Sequence, residues 1–393
     1  MLGKIFLVVY VLVQILISVL TEYSVRNSRV FKNIGVKTKI IRIIIYAALA
    51  AVPVLGAYLP KSGFKFFCME AGNIWLGFFM FYSVFVLILF PIIKEIIKNK
   101  KNGDNSLIGK AFQFAFLAAF AIMAAGLIHA QQPKLVNYDV ELANASAKGE
   151  KVKIVLLADL HLSVNSDIKA TEKMVELANG CDPDLIVIAG DIFTSNYDGL
   201  KDPERYSAAL SKMHAKYGVY AVCGNHDVDE NLIGGFSISP ISQAFRTPEM
   251  EQFFDDAGFT VLYDENVVIG DGLFTLSGRV DGEKAGDGTS DRMSPDMLLK
   301  DADKTKPIVV LQHEPIEFRS LADSGADLVL CGHTHNGQIF PGNFVVPFFN
   351  ENAYGVKELY GSTTVVTAGV GYYGPPIRFG TDSEVTLVNV TFK

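Results

Sequence analysis

The sequence has few cysteines, and none is paired at a spacing that binds a metal. Cys68, Cys181, Cys223 and Cys331 stand alone, with no CxxC pair among them. Zinc knuckles are built from such close pairs, so this class of site is excluded. Cys223 and Cys331 each end an apolar run, which is typical of small buried core residues. We expect no disulfide framework in a chain of this length.

Acidic residues are also scarce, but only in the first third of the chain. Residues 1–133 contain 14 Lys and Arg against 4 Asp and Glu, whereas residues 134–393 contain 21 against 38. Nucleic-acid binding depends on cationic side chains that neutralise phosphates, so the acidic second part disfavours a nuclease and a nucleic-acid partner. The contrast predicts two domains, 1–133 and 134–393.

Four apolar runs dominate the first part. A helix needs about 20 apolar residues to cross a bilayer. The runs are Ile5–Leu20, Ile40–Leu59, Ala71–Ile93 and Ala111–Ala130. A buried helix of a soluble domain is the alternative for any single run, and a signal peptide is the alternative for the first. Four runs in series, separated by charged loops, favour an all-α membrane anchor of four transmembrane helices.

The loops between these runs predict an orientation. Lys and Arg accumulate in cytoplasmic loops. The middle loop has only Lys61 and Lys65. The first and third loops are richer, and their basic residues are Arg26, Arg29, Lys32, Lys37, Lys39 and Arg42, then Lys94, Lys98, Lys100, Lys101 and Lys110. Both basic loops are predicted to be cytoplasmic, which places the N-terminus and the whole second domain outside the cytoplasm.

The second domain follows Pro133 and alternates short strands with helices. Val136 to Leu142 alternates apolar and polar residues, which predicts a half-buried strand. Continuous apolar runs predict five buried strands, at Lys153–Ala158, Leu185–Ala189, Val219–Cys223, Ile308–Gln312 and Asp327–Cys331. Helices are predicted at Ser166–Asn179 and Pro203–Tyr217. In an open α/β sheet the ligand site forms at the carboxyl ends of the strands.

Each of the five buried runs stops at residues that bind metals. In chain order these are Asp159-Leu160-His161, Gly190-Asp191, Gly224-Asn225-His226-Asp227, His313, and Gly332-His333-Thr334-His335. Carboxylate and amide oxygens with imidazoles, and no thiolate, suit iron, manganese or zinc. Five of the seven histidines lie in these motifs, and the others, His129 and His214, fall in a span end and a helix.

In this order the five motifs resemble the DxH, GD, GNHD/E, H and GHxH blocks of the calcineurin-like metallophosphoesterases. The run Gly332–Pro341, GHTHNGQIFP, resembles the branch of bacterial membrane and cell-envelope phosphoesterases. That branch usually has GHTHGGQ, so Asn336 is a departure beside the site. The resemblance covers Lys153 to Phe392 and implies an α/β fold, a two-sheet sandwich flanked by helices. The membrane part matches no motif.

The resemblance also implies roles for eight side chains around two divalent or trivalent metal ions. Asp159, His161 and His335 would hold the first metal, and Asn225, His313 and His333 the second. Asp191 would bridge both. Two metals about 3.5–4 Å apart supply a shared hydroxide as nucleophile. His226 would not be a ligand, and would instead protonate the leaving oxygen or stabilise the transition state.

Three further features of the second domain keep two interpretations each. Asp227 would either orient a histidine or cap the next turn. Arg378 would either clamp the phosphate through a bidentate pair or lie at the surface. The apolar segment Ile339–Phe349 would either pack in the core or form a lip that touches acyl chains or the bilayer surface.

These expectations describe a membrane-anchored two-metal hydrolase of phosphoesters. A phosphodiester or pyrophosphate that is lipid-linked or part of the cell envelope is the expected substrate, with membrane lipids as further partners. A non-catalytic sensor on the same fold is disfavoured because all eight side chains are present. A UDP-diacylglucosamine-type glycolipid hydrolase conflicts with the predicted side of the membrane. A transporter is disfavoured because the spans carry little charge at mid-membrane.

Overall fold

The computed structural model describes residues 2–27, 35–99, 106–143, 147–195, 197–233, 236–237 and 239–393. Four of the basic loop residues that predict the orientation lie outside this described part, namely Arg29, Lys32, Lys100 and Lys101. The orientation therefore stays a prediction that rests on loop charge.

Four long helices precede all the strands. They are α1 (Leu2–Asn27), α2 (Val36–Tyr58), α3 (Gly63–Lys98) and α4 (Ser106–Ala130). Each is long and apolar enough to cross a membrane, and each contains most or all of one predicted apolar run. At 36 residues, α3 is about 54 Å long, so it extends beyond a hydrocarbon layer of about 30 Å. Its last turns carry Lys94, Glu95 and Lys98, charged side chains that suit the water-facing end of a helix.

The remainder of the chain consists of short strands and short helices. The strands are β1 (Lys134–Leu142), β2 (Lys151–Leu157), β3 (Leu185–Ala189), β4 (Val219–Val222), β5 (Leu232–Ile233), β6 (Phe236–Ser237), β7 (Thr260–Val261), β8 (Glu265–Ile269), β9 (Phe274–Gly278), β10 (Ile308–Leu311), β11 (Leu328–Cys331), β12 (Gly355–Leu359), β13 (Ser362–Val366) and β14 (Glu384–Phe392). The helices are α5 (Ile168–Gly180), α6 (Pro203–Leu210), α7 (Pro248–Asp256), α8 (Pro295–Leu298), α9 (Phe318–Asp323) and α10 (Gly342–Val345).

One predicted helix is shorter in the structure than its pattern indicated. The prediction was Pro203–Tyr217, but α6 ends at Leu210. The side chain of Asn179 accepts a hydrogen bond from the His214 amide and donates one to the Lys212 carbonyl. These two bonds hold the chain out of the helical path, because they engage backbone groups that a longer helix would use.

Twelve of these strands form two mixed sheets, and β5 pairs with β6 in a separate antiparallel pair. One has the order β1-β14-β2-β3-β4-β7 and the other β12-β13-β11-β10-β9-β8. β2, β3, β4 and β7 are parallel neighbours, as are β9, β10, β11 and β13. β1 pairs with β14 in parallel along its whole length, from Lys134 opposite Glu384 to Leu142 opposite Phe392. The predicted two-sheet sandwich flanked by helices is confirmed.

The core consists of three apolar layers. The inner faces of the two sheets meet through side chains such as Leu156, Leu276 and Leu330. α5, α6 and α7 cover the outer face of the first sheet, and α8 and α9 cover that of the second. All four cysteines are free and buried, which confirms the prediction of Cys223 and Cys331 as small core residues.

Contacts along the chain define two compact units. One comprises Met1–Ile128, Asn231–Ile238 and Gly374–Ile377, and the other comprises the remaining residues. His129 at the end of α4 belongs to the second unit, where its Nε2 lies 2.8 Å from Asp382 Oδ1. Lys134 Nζ lies 2.8 Å from the same oxygen. The functional boundary at residue 133 stays a prediction.

Candidate metal centre

The eight predicted side chains follow β2, β3, β4, β10 and β11 at the ends where these strands stop. Parallel neighbours within a sheet end at the same edge, so their following residues meet there. The structure brings all eight side chains into one crevice, as the distances below show. Each distance joins groups that come from different strand ends.

The first predicted set of ligands forms one compact group. Asp159, His161 and His335 each offer a ligand atom, and these atoms lie within 4.8 Å of one another. His161 Nε2 is 3.0 Å from His335 Nε2, and His335 Nε2 is 3.4 Å from Asp159 Oδ1. All three side chains are buried. The group has the size and shape of one metal site.

The second predicted set converges on His313. Its Nε2 lies 3.1 Å from Asn225 Oδ1, 3.1 Å from His333 Nδ1 and 3.1 Å from Asp191 Oδ2. The other ring nitrogen, Nδ1, lies 2.8 Å from the carbonyl oxygen of Ala189. A carbonyl oxygen can only accept a hydrogen bond, so Nδ1 carries a hydrogen and Nε2 is the ring nitrogen that faces the site.

Asp191 lies between the two groups. Its Oδ1 accepts a hydrogen bond of 2.8 Å from the His226 amide. Its Oδ2 is 3.1 Å from His313 Nε2 and 3.6 Å from His161 Nε2, so a single oxygen faces both sets. Asp159, Asp191 and His313 also offer ligand atoms within 4.8 Å of one another. Asp159 therefore lies close to both groups, which the resemblance did not imply.

The backbone at the strand ends is in an uncommon conformation. Five predicted ligands have positive φ angles: Asp159 (55°), His161 (46°), Asp191 (53°), His333 (74°) and His335 (50°). Residues with a Cβ seldom take this left-handed conformation, and it clusters at functional sites. Each strand thus turns sharply where it ends, and the turn directs the side chain into the crevice.

The motif glycines allow the strand ends to approach one another. A Cβ placed on Gly224 would lie 2.3 Å from Asp191 Oδ1. A Cβ placed on Gly332 would lie 2.4 Å from the Cβ of Ala158 and 2.7 Å from Asp159 Oδ2. All three of these distances are shorter than a van der Waals contact, so Gly224 and Gly332 are required for packing.

The protonation of three of the four predicted histidine ligands fits metal binding. Burial acts to lower the pKa of the fourth, His313, but Asp191 holds that pKa well above its ordinary value. Burial lowers the pKa of His161 to about 4 and that of His333 to about 4. Burial likewise holds the pKa of His335 well below its ordinary value. These three rings are therefore neutral at pH 7. A neutral imidazole is the form that binds a metal, because its lone pair is free.

The buried carboxylates also fit a cation. Burial raises the pKa of Asp159 to about 7, and the neighbouring Asp191 adds to the rise. Burial acts in the same direction on Asp191, but the ring of His313 and other histidines hold its pKa well below the ordinary value. Two carboxylates this close to each other repel, and a cation between them would relieve the repulsion. Carboxylates, imidazoles and an amide oxygen are a donor set for manganese, iron or zinc.

His226 lies in the crevice without belonging to either group of ligands. Its Nδ1 is 2.8 Å from Ser195 Oγ, and Ser195 donates a hydrogen bond of 3.0 Å to Glu230 Oε1. Lys284 Nζ lies 2.5 Å from the same oxygen. We call the chain of His226, Ser195 and Glu230 the His226 relay. Because Nδ1 is engaged, Nε2 is the ring nitrogen left for a substrate, as a non-ligand role requires.

Sequence reasoning missed Ser195 and Glu230 of this relay, and two more residues of the site. The ring of Tyr373 lies against the rings of His226 and His161, at centroid distances of 4.4 and 5.3 Å. Asn225 Nδ2 donates to Glu283 Oε2 at 3.0 Å, which turns the amide oxygen of Asn225 to His313. The only sequence signal is spacing. Ser195 follows Asp191 by four residues, and Glu230 follows His226 by four.

Asp227 binds backbone amides on two strand ends. Its Oδ1 accepts from the amide of Phe193 at 2.8 Å, and its Oδ2 accepts from the amide of Gly224 at 2.8 Å. Both oxygens are therefore engaged away from the imidazoles. The interpretation of Asp227 as a partner of a histidine is wrong, and the capping alternative is closer to what it does.

Arg378 is neither at the surface nor free to clamp a phosphate. The side chain is fully buried, and each of its three guanidinium nitrogens already donates to a carbonyl oxygen within 3 Å. The accepting carbonyls belong to Ala368, Gly369, Gly371 and Asp382. Nη2 also lies 3.3 Å from His335 Nδ1. Both earlier interpretations of Arg378 are therefore wrong, because the guanidinium fastens the loop of residues 368–371 beside His335.

The departure at Asn336 has a backbone explanation. Asn336 adopts φ 49° and ψ 33°, the left-handed conformation that glycine takes most easily. Asparagine is one of the few other residues that tolerate it. The amide of Asn336 also donates to Thr334 Oγ1 at 3.2 Å. Glycine and asparagine therefore both suit this turn.

The geometry defines a class of protein, an α/β fold with two adjacent groups of candidate metal ligands at its strand ends. Comparisons with known proteins give the family. The family model described as calcineurin-like phosphoesterase matches residues 152–337. An uncharacterized metallophosphoesterase of Aquifex aeolicus is 31% identical over 63% of this chain and 87% of its own length. The chain belongs to the calcineurin-like phosphoesterase family.

Two other relatives extend the match. A Danio rerio protein named transmembrane protein with metallophosphoesterase domain is 27% identical over 88% of this chain and 79% of its own length. An uncharacterized metallophosphoesterase of Campylobacter jejuni is 28% identical over 70% of this chain and 68% of its own length. The described residues include four helices long and apolar enough to cross a membrane. Together with the Danio rerio relative, they indicate a membrane protein.

Proposed function

We propose that the chain hydrolyses phosphoesters with two metal ions, and that its substrates are phosphodiesters or pyrophosphates. The observation that supports this most directly is the position of Asp191. Its Oδ2 lies 3.1 Å from a ligand nitrogen of one group and 3.6 Å from a ligand nitrogen of the other. A single bridging carboxylate is what a pair of metals about 3.5–4 Å apart requires.

The residues have the roles that the family resemblance implies. Asp159, His161 and His335 would hold one metal, Asn225, His313 and His333 would hold the other, and Asp191 would bind both. When bound, such a pair activates a water molecule and neutralises charge on the phosphate. The protein then has to supply a proton to the alkoxide that leaves.

His226 is placed to supply that proton. Its Nδ1 donates to Ser195, so the proton that moves is the one on Nε2, and the leaving oxygen accepts it. Burial lowers the pKa of His226 to about 3, so the ring needs negative charge nearby to become protonated. The anionic phosphoester supplies part of this charge, and Glu230 supplies more through Ser195. Tyr373 covers one side of the ring and keeps water from it.

A non-catalytic sensor on the same fold is the second candidate. Such a sensor would have no use for a histidine whose Nδ1 is held by a buried serine and glutamate. The His226 relay therefore favours an enzyme.

An assay of the full chain in detergent tests the proposal. We expect two metal ions per chain and manganese-dependent turnover of chromogenic diesters. His226→Ala should keep its metals and lose about 10²- to 10⁴-fold in turnover, the usual contribution of a positioned acid. Metal-free, folded protein without turnover would contradict the proposal and favour the sensor.

Ser195 provides a sharper version of the same assay. Ser195→Ala removes the partner of Nδ1, so turnover should fall further for alkyl leaving groups, which need a proton, than for p-nitrophenol, which does not. Thr194→Ala removes a neighbouring hydroxyl that has no hydrogen-bond partner among the described residues, and is the matched control. An equal loss on both classes of leaving group would assign Ser195 to folding alone.

We place the catalytic domain outside the cytoplasm, where lipid-linked or other cell-envelope phosphoesters are the substrates. The described loop residues Arg26, Lys37, Lys39 and Arg42 keep the first loop more basic than the middle loop, which has Lys61 and Lys65. This asymmetry supports cytoplasmic first and third loops. A reporter fused after Lys134 should be active only outside the cytoplasm. A cytoplasmic reporter would reverse the orientation and revive the UDP-diacylglucosamine-type hydrolase.

A further inference from the structure

A strongly apolar and exposed segment directly follows the last predicted ligand. Residues 336–350 contain no charged side chain. Five of the apolar residues, which we call the lip, are exposed to solvent: Phe340 (51%), Phe344 (63%), Val345 (47%), Phe348 (85%) and Phe349 (81%). The alternative that this segment packs in the core is therefore wrong. A contiguous apolar patch of this kind marks an interaction site.

The lip is held by a firmly bonded base. The Gly342 amide donates to the Ile339 carbonyl at 2.7 Å, and the Phe340 amide donates to the Phe379 carbonyl at 2.7 Å. A Cβ on Gly337 would lie 2.1 Å from the carbonyl carbon of Gly342, so the backbone folds tightly on itself there. The phenylalanines are thus presented by a fixed turn and the short helix α10, rather than by a loose loop.

The base of the lip also forms part of the wall of the metal centre. Gln338 Nε2 donates to the Tyr373 carbonyl at 2.9 Å, and Gln338 Oε1 accepts from the Tyr373 amide at 2.8 Å. The ring of Tyr373 lies against that of His226. Three residues along the chain separate His335 from Ile339. A molecule that lies on the lip can therefore reach the catalytic crevice with its polar end.

We propose that the lip docks the acyl chains of a phosphoester lipid at the bilayer surface, an inference that rests on the proposed function and names its substrate class. The first reason is chemical. Without charges, the lip offers a protein partner few directional contacts, whereas aromatic and aliphatic side chains enter the boundary between headgroups and acyl chains readily.

The second reason is the covalent connection to the membrane helices. α4 ends at Ala130 and β1 begins at Lys134, so only residues 131–133 link them. A linker this short keeps the catalytic unit at the membrane surface, where acyl chains have a high effective concentration. The same apolar patch on a freely diffusing enzyme would not be held near acyl chains.

Tryptophan fluorescence tests the docking without requiring activity. The chain has one tryptophan, so Trp75→Phe leaves a silent background in which the indole introduced by Phe348→Trp reports on the lip. In vesicles that contain brominated phosphatidylcholine, we expect strong quenching of this lip indole. We expect little quenching of the indole in a Tyr217→Trp control, because Tyr217 precedes β4 at the end of the sheet opposite the predicted ligands. A lip indole that bromolipid does not quench would overturn the inference. A lip indole shielded from both bromolipid and acrylamide would show that another copy of the chain covers the lip, and would also overturn it.

Turnover separates this inference from the proposed function. Full-length Phe344→Ser/Phe348→Ser in vesicles should hydrolyse a soluble p-nitrophenyl diester normally, but a diacylglycerol p-nitrophenyl phosphodiester at least tenfold more slowly. Equal rates on both substrates, or an equal loss on both, would overturn docking while leaving the enzyme in place. If the unmodified chain hydrolysed neither diester, the proposed function would fail, whereas the quenching result would still decide whether the lip meets lipid.

Discussion

Asp191→Asn should leave a folded protein that binds less than one metal ion per chain and has lost about 10³-fold or more in diester turnover, about 4 kcal/mol of transition-state stabilisation. Asparagine has the same shape as aspartate, and its carbonyl oxygen can still accept the His226 amide that Oδ1 accepts now, at 2.8 Å. Its NH2 group then takes the place of Oδ2.

The substitution replaces the oxygen that would bridge the two metals with a hydrogen-bond donor. Oδ2 is 3.1 Å from His313 Nε2, so the new NH2 group would donate a hydrogen bond to the nitrogen that should bind the second metal. It would also remove a buried negative charge beside Asp159. That removal relieves Asp159 but leaves buried His313 without its carboxylate partner, so the metal-free protein should lose some stability together with its affinity for metals. Metal analysis, thermal unfolding and turnover in one sample measure the three effects.

Asp182→Asn is the matched control for this substitution. Asp182 also has a positive φ, 49° against 53° for Asp191, but its side chain is fully exposed. The same chemical change there should alter neither metal content nor turnover. Two bound metals and undiminished turnover in Asp191→Asn would show that no carboxylate bridge is needed, and would remove the observation on which the proposed function mainly rests.

The convergence of the candidate ligands was predictable because these residues lie in short motifs. Each motif stands directly after a continuous apolar run, and the run alone predicts a buried strand. Two such neighbours, β2 and β3, are parallel in the structure, which is enough to bring Asp159 and Asp191 to one edge. The order of the motifs along the chain then identifies the family. The strand partners of β1 and β14 were not predictable, because their pairing joins residues more than 200 apart.

The His226 relay was not predictable for a different reason. Ser195 and Glu230 are common residue types, and serine and glutamate usually lie at the surface. Only the fold shows that both are buried and that a serine hydroxyl joins the glutamate to a histidine. The left-handed backbone conformation of Asp159 and Asp191 could not be predicted from the sequence either, because neither residue is a glycine.

The exposure of the lip was predictable only as one of two alternatives. A run such as Ile339–Phe349 has the same composition whether it lies in a core or on a surface. The structure decides between them: a tight turn joins Gly337 and Gly342, and Phe344, Phe348 and Phe349 are exposed. A membrane protein is exposed to both water and lipid. A hydropathy pattern does not show which of the two an apolar side chain contacts.

Arg378→Ala should be the most destabilising single substitution in the catalytic unit that spares every predicted ligand. The guanidinium donates to carbonyls that precede and follow Arg378 in the chain, including those of Ala368 at 2.7 Å and Asp382 at 2.7 Å. Burial lowers the pKa of Arg378 to about 10, so the group stays charged at pH 7. Its removal leaves several buried carbonyl oxygens without a donor.

Each buried carbonyl that loses its partner costs about 1–3 kcal/mol. A total of about 3 kcal/mol or more would lower the melting temperature by about 6–12 °C for a unit of this size. Arg378→Lys should fall in between, since one ammonium cannot replace three nitrogens, and Arg319→Ala, at an exposed arginine that stacks on Tyr360, should change little. In Arg378→Lys that retains its metals, the KM for soluble diesters should be unchanged. A raised KM without loss of thermal stability would instead restore the phosphate clamp, and would require the loop of residues 368–371 to open when substrate binds.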